Sequence, residues 1–444
     1  MTGFEKIEHA SRTDVGVRRS HNQDSHAVLL AGDLDHWRDK GHIFLVADGM
    51  GGHAVGELAS ELAVGIIPHT YHKHAEEGAA AALRKAFQEA NASIHARGQQ
   101  NLEFKGMGTT STALLLRPEG AWIGHVGDSR VYRIRDGRIE QLTFDHSHIW
   151  ELARKHRIDP DELQGVRSNI ISRSLGPDPL VRVDIEGPHP VRAGDIFVLC
   201  SDGLSGPVSD PELGAVTSLL PPAEACQFLV DLANLRGGPD NITVMIVRIG
   251  EQETGEADGV ATRGLQPRGG SLRRVLVKAL RWIPWPLLLL LLGSVLAVEA
   301  LVLMASNQRA LGTFAFGGAA AAIIGGLIAL VVHFLREKQH VSRKPERRSL
   351  QVYRKASSLV EPPLLEKLRK LEHGLYELVR EKGWETDWET HRQHHEAAEK
   401  SLEQGDVSAA FRETCRAVQP LTATLQQQRN KVEAFQPLWD IASD

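Results

Sequence analysis

The chain has 444 residues, a net charge of -5 at pH 7 and three cysteines, a length that suits about two to three structural units. Cys200, Cys226 and Cys415 lie far apart with no paired spacing, which argues against a disulfide framework and a zinc site and fits a reducing cytosol. The polar start MTGFEKIEHASRTD has no basic n-region followed by an apolar h-region, so no secretory signal is expected and the amino-terminal part should stay on the cytoplasmic side.

Short runs rich in branched and apolar residues predict strands at Ile43 to Ala47, Thr110 to Leu116, Ala121 to Val126, Ile196 to Cys200 and Ile242 to Ile249. Asp136-Gly137 sits between Val131 to Arg135 and Arg138 to Leu142, a dipeptide that accepts positive φ at both central positions of a hairpin. Helical periodicity marks Ala54 to Ile67, Ala79 to Ala96, His148 to His156 and Ala223 to Leu235. The strands cluster instead of alternating strictly with helices. Two antiparallel sheets flanked by helices, an α+β class, therefore fit residues 1–250 better than a doubly wound sheet.

Residues 251–281 open with a tether rich in Gly, Glu, Thr and Arg and end in a basic stretch. Within 282–335, Pro286 to Ala305 is apolar except for Glu299, and Leu311 to Leu335 carries no charge. Each is long enough to cross ~30 Å of hydrocarbon as a helix, so a two-helix transmembrane hairpin is expected. Small residues from Gly317 to Gly326 would let the helices pack closely, and Glu299 is assigned a snorkelling or helix-contact role. Basic residues precede the first span and follow the second, notably in 336–349, which places both terminal regions in the cytoplasm and the protein in the inner membrane. Residues 350–444 read as an all-α cytoplasmic region: Leu364, Leu365, Leu368, Leu371, Leu375, Leu378 and Val379 form one apolar stripe, and helical pieces follow at His394 to Leu402 and Val407 to Val418. A helical bundle or a coiled-coil homodimer is expected there.

Four acidic signatures carry the chemistry: NQD ending at Asp24, DGMGGH from Asp48, SDG around Asp202 and GGPDN around Asp240. Each sets an aspartate at a tight glycine-bearing turn beside an apolar run. Any one of them alone is an ordinary turn former, but jointly they supply oxygen ligands for a hard cation, Mg2+ or Mn2+, and point to a metal-assisted hydrolase. A dinucleotide-binding reading of Gly49 and Gly51 is weak because Ala54 replaces the last glycine. A cysteine phosphatase is excluded, since Gly206, Leu232 and Leu421 stand six residues beyond the cysteines where an arginine is needed.

With Arg19-Ser20-His21-Asn22-Gln23-Asp24, FLVADGMGGH from Phe44, GMGTTSTALLL from Gly106, GDSR from Gly127, LTFDHS from Leu142, DIFVLCSDGL from Asp195 and GGPDNITV from Gly237, residues 7 to 249 resemble the metal-dependent serine/threonine protein phosphatases of the PPM (PP2C-like) family, bacterial type. The resemblance implies an αββα sandwich with a binuclear Mn2+/Mg2+ centre between the sheets. It implies that Asp48 bridges the ions, that Asp202 and Asp240 complete the first, that the Gly49 carbonyl serves the second, and that Asp24 holds a metal-bound water. Asp128 with Asp202 matches a weaker third position. Arg19, with Arg18 as the alternative, would grip the phosphate, and His53 would act as general acid; His146 reads as a local hydrogen-bonding residue. The flap region Arg154 to Ser174 departs from the family pattern, so substrate preference does not carry over. The expected partners are phosphoproteins and a serine/threonine kinase with its targets, without nucleic acid. The alternative is a non-catalytic membrane scaffold that binds phosphoproteins.

Overall fold

The structure, a computed structural model, describes residues 7–51, 55–163, 170–250, 285–306, 313, 315–327 and 351–434. The chain divides into two compact units, one of residues 1–253 with 350–444 and one of residues 254–349.

In the first unit run β1 (Ile7–Asp14), β2 (Asp24–Leu29), α1 (Leu34–Asp39), β3 (His42–Met50), α2 (Val55–His74), α3 (Ala79–Gly98), β4 (Gly108–Thr109), β5 (Ser111–Arg117), β6 (Gly120–Val126), β7 (Arg130–Arg135), β8 (Arg138–Gln141), α4 (His148–His156), β9 (Asp184–His189), β10 (Ile196–Cys200), α5 (Asp202–Ser205), α6 (Asp210–Leu219), α7 (Pro222–Leu235) and β11 (Ile242–Ile249). The second unit contributes α8 (Trp285–Ala305), after which the first unit resumes with β12 (Arg354–Ser357), α9 (Pro362–Glu381), α10 (Trp388–Glu403) and α11 (Val407–Ala434).

Two antiparallel sheets form, in the orders β1-β11-β10-β7-β8-β12 and β2-β3-β5-β6-β9, with β4 joined to β3. The period-2 side-chain alternation of strands explains how they stack. On β11, Met245 and Val247 join Phe44 and Val46 of β3 and Phe197 and Leu199 of β10 in the core between the sheets. The alternate residues Val244 and Ile246 face α6 and α7, and Ile43, Leu45 and Ala47 of β3 face α2 and α3. The layers are thus helix, sheet, sheet, helix, as expected. At the β7–β8 hairpin Asp136 and Gly137 take φ of 50° and 70°, the left-handed pair that the sequence foresaw.

The tail departs from expectation. The stripe Leu365, Leu368, Leu375 and Val379 of α9 does not wait for a second copy; it shares one core with Val216 of α6 and Phe228 and Leu232 of α7. That stripe is thus covered within its own chain. β12 extends the first sheet by pairing with β8. Polar contacts fix the remainder: Lys367 Nζ donates to Glu212 Oε1 at 2.8 Å, Arg416 Nε meets Glu224 Oε2 at 3.0 Å, and Arg429 Nη2 donates to the Gly16 carbonyl at 2.6 Å.

In the second unit, α8 carries the single charge Glu299, and a Cβ at Gly293 would meet Ile323 Cγ1 at 2.6 Å, so this glycine lets the helical residues 315–327 come close. Among the residues whose side chains are described, no helix is long and apolar enough to cross a membrane. Residues 311, 312, 314 and 328–335 of the second expected span, the tether and the basic segment 336–349 lie outside the described residues.

Candidate metal centre

Local backbone demands place the aspartates. Asp24 heads β2 directly across from Asp48 of β3, where the edge of the sandwich opens. The Asp48 N–H donates to Thr110 Oγ1 at 3.0 Å, and its carbonyl accepts from Thr109 Oγ1 at 2.8 Å and from the Thr110 N–H at 2.8 Å. Gly49 follows because nothing larger fits: a Cβ there would lie 2.0 Å from the Gly56 carbonyl oxygen. Asp202 leaves the end of β10, and a Cβ on Gly203 would lie 2.0 Å from the Asn241 carbonyl oxygen. Asp240 leads into β11, and Asp128 sits in the β6–β7 turn after Gly127, whose φ is 114°. Glycine beside these carboxylates is thus a steric requirement of close backbone approach.

Asp24 and Asp128 are buried, 7% and 6% exposed, and charges that deep are normally paired. Ser201 Oγ donates to Asp24 Oδ2 at 2.7 Å. Asp24 Oδ1, Asp128 Oδ1 and Asp202 Oδ1, by contrast, are buried without a hydrogen-bond partner among the described residues. Burial and mutual repulsion raise the acids together. Asp24 is pushed up to about 7 by burial, with the charges of Asp202 and Asp240 adding to it against hydrogen bonds from Ser201 and Thr243. Asp48 rises well above the usual carboxylate range through burial, then through the charges of Asp24, Asp202, Asp128 and Asp240. Asp128 rises likewise, through burial and then Asp202, and Asp202 through burial and then Asp240. Orphaned carboxylate oxygens in a cluster of acids that resist joint ionisation fit divalent cations with oxygen ligands.

The sequence-predicted set is therefore brought together, except for one member. Asp24, Asp48, Gly49, Asp128, Asp202 and Asp240 converge, and Arg19 lies at the rim, half-exposed, with Nη2 2.7 Å from Asp240 Oδ2. His53 lies outside the described residues. His146 is structural as expected: its Nδ1 accepts from the Gly127 N–H at 3.0 Å and its Nε2 faces Asp184 Oδ2 at 3.1 Å. The three thiols are buried; burial pushes Cys200 and Cys226 up to about 12, which removes thiolate chemistry.

Sequence reasoning missed the groups that hold the acids. Asn241 Oδ1 accepts from the Gln23 N–H at 2.8 Å, and its Nδ2 donates to the Val15 and His21 carbonyls, so it ties the loop bearing Arg19 to the turn bearing Asp240. Thr110 Oγ1 bonds Ser129 Oγ at 2.7 Å, linking the Asp48 and Asp128 turns. Beneath them Arg130 clasps Asp145 with Nε to Oδ2 at 2.9 Å and Nη2 to Oδ2 at 2.7 Å. The only sequence signal for these residues was their adjacency to the acidic turns.

Residues 17–235 match the family model described as Protein phosphatase 2C, and the chain belongs to that family. It is 34% identical over 258 residues to the serine/threonine protein phosphatase PstP of Mycobacterium tuberculosis, an alignment covering 57% of this chain and 47% of PstP. It is 36% identical over 242 residues to the serine/threonine phosphatase stp of Listeria monocytogenes, covering 53% of this chain and 93% of stp. The chain thus spans about half the length of PstP and nearly all of stp. Among solved structures, it resembles PstP/Ppp of Mycobacterium tuberculosis with a TM-score of 0.49 and 36% identity, over 55% of this chain and 99% of that one. The PstP catalytic domain solved in complex with two manganese ions gives a TM-score of 0.46 and 34% identity, over 55% of this chain and 99% of that one.

Proposed function

We propose that the chain is a Mn2+- or Mg2+-dependent protein serine/threonine phosphatase, anchored in the cytoplasmic membrane and opposing a bacterial serine/threonine kinase. One observation carries the activity: buried, mutually repelling aspartates present unpartnered oxygens at one edge of a sandwich. The family match and the identity to PstP and stp support the substrate class. Asp48, Asp202 and Asp240, with the Gly49 carbonyl, would hold two ions, and Asp128 with Asp202 a third. When bound, such ions supply a hydroxide nucleophile at neutral pH and offset the charge of the phosphate. The residues of the chain do the rest. Asp24, opposite Asp48, orients the attacking oxygen, and Arg19 exchanges Asp240 for the phosphate oxygens of the substrate, where a guanidinium makes a charged fork. Replacing it by alanine should raise KM for a phosphoserine peptide about 10- to 100-fold with a smaller loss in kcat, and chelation should silence the wild-type chain until Mn2+ is restored. Hydrolysis that persists after chelation would reject the reading.

His53 is assigned the proton for the departing serine oxygen. His53→Gln should then slow a phosphoserine peptide by about 10² while leaving p-nitrophenyl phosphate, whose leaving group needs no proton, nearly unaffected. Equal losses on both substrates would remove that role. Anchorage is supported by the two uncharged or nearly uncharged runs and their basic flanks in the sequence; release of the protein by alkaline washing of membranes would contradict it. Because α9 buries its apolar stripe within its own chain, the tail is read as part of the catalytic unit and not as a dimerisation arm.

A further inference from the structure

A cleft of about 760 Å3 in the helical tail is lined by Glu372, Tyr376, Trp388, His391 and His395 among others, none of them in the aspartate cluster. His391 and His395 stand four residues apart on α10, one turn of one face, and Glu372 comes from the facing helix α9. Glu372 Oε1 lies 2.8 Å from His391 Nε2 and 3.0 Å from His395 Nδ1, and all three ligand atoms fall within 4.8 Å of one another. Glu372 and His391 are each 5% exposed, so two of the three groups are fixed by their surroundings. Ring stacking fixes the imidazoles further: His391 lies between Tyr376, at 5.3 Å and 20°, and His395, at 5.8 Å and 17°. His391 sits in the first turn of α10, where its N–H donates to the Asp387 carbonyl at 3.1 Å.

We propose that Glu372, His391 and His395 form a second metal site, separate from the aspartate centre, for a borderline transition ion such as Zn2+, with the fourth position open to the cleft. Two nitrogens and one oxygen select Zn2+, Co2+ or Ni2+ over the hard Mg2+ and Mn2+ suited to the all-oxygen centre. The expectation against zinc rested on cysteine spacing and does not touch this set. Bonds of ~2.0 Å give ligand separations of ~3.3 Å in a tetrahedron, so the two carboxylate–imidazole separations of 2.8 and 3.0 Å would open by a few tenths of an ångström. The cations along the cleft do not oppose a metal, because Arg369, Lys370 and Arg392 are paired with Glu399, Glu366 and Glu389. The ion would cross-link α9 to α10.

The test uses the full chain carrying Asp48→Asn, stripped with a chelator and titrated with Co2+, whose visible spectrum reports tetrahedral nitrogen ligation. One equivalent should develop intense bands that Zn2+ displaces stoichiometrically. His391→Ala should weaken this binding at least ~100-fold, and His395→Gln, at a half-exposed position, should do so without loss of fold. In a chain with Asp48 intact, the same substitutions should leave Mn2+-dependent hydrolysis within about twofold, which separates this site from the catalytic reading. Bands of equal strength in both histidine variants, or no tetrahedral bands in their parent, would overturn the proposal.

Discussion

Asp48→Asn should lower kcat on a phosphoserine peptide by roughly 10³-fold or more, about 4 kcal/mol of transition-state stabilisation, while the protein still folds. Asp48 is the carboxylate on which the charges of Asp24, Asp202, Asp128 and Asp240 all act, so it lies at the electrostatic centre of the cluster. An amide of the same shape keeps one ligand oxygen and loses the charge that would bind and balance the ions. The backbone should not notice, because the Asp48 bonds to Thr109 and Thr110 run through its main-chain N–H and carbonyl. Peptide hydrolysis with Mn2+ sets the measure, and circular dichroism controls the fold. A variant that retains turnover would remove Asp48 from the chemistry; one that loses turnover yet leaves cellular signalling unchanged would favour a phosphoprotein-binding scaffold.

The chelated protein should lose stability as pH rises from about 4 to about 7, and divalent metal should restore it most at the upper end. The sign follows from the raised acids. Asp24 shifts from 3.8 to about 7 on folding, and Asp48, Asp128 and Asp202 shift upward too. Between the unfolded and folded values the native state holds more protons than the unfolded chain, so stability falls with pH through that window. It is fully present below about 4 and lost as pH passes the folded values. Cations replace those protons, so the gain on adding Mn2+ should grow with pH and reach several degrees in Tm at pH 7. Thermal unfolding with and without chelator across this range is the measurement. A chelated protein whose Tm climbs steadily from pH 4 to 7 would show that the carboxylates are not held together.

Much of the sandwich was legible because its strands are apolar on both faces. Ile196 to Cys200 and Ile242 to Ile249 were read with the bounds observed, since a strand between two layers is a continuous hydrophobic run. β1 and β2 escaped notice: IEHASRTD and DSHAVL are rich in polar residues, and as the outermost strands of their sheets they have a ladder neighbour on only one side. β12, with the sequence RKAS, is a strand only because β8 offers it an edge, which no local propensity encodes. α6 hid behind Asp210-Pro211 and Gly214, which read as a loop although Ser209 and Glu212 build a capping box. The stripe on α9 was visible, but periodicity reports that a face is apolar and not what covers it. At the site Asp48 and Asp202 were legible because each stands at a strand end before a sterically required glycine, and Asp128 because Gly127 precedes it. Ser201, Thr110 and Asn241 were not, since their function depends on partners up to 226 residues away in sequence.

The segment 254–349 interrupts a single compact body formed by what precedes and follows it. During synthesis, the ribosome must therefore emit both apolar runs before it delivers β12 and α9. Until then β8 keeps a bare ladder edge, and Val216, Phe228 and Leu232 lack the leucines that later cover them. Closure of this body is thus deferred until β12 and α9 have been made, so a nascent chain stalled before residue 350 exposes a sticky surface that chaperones and proteases can recognise.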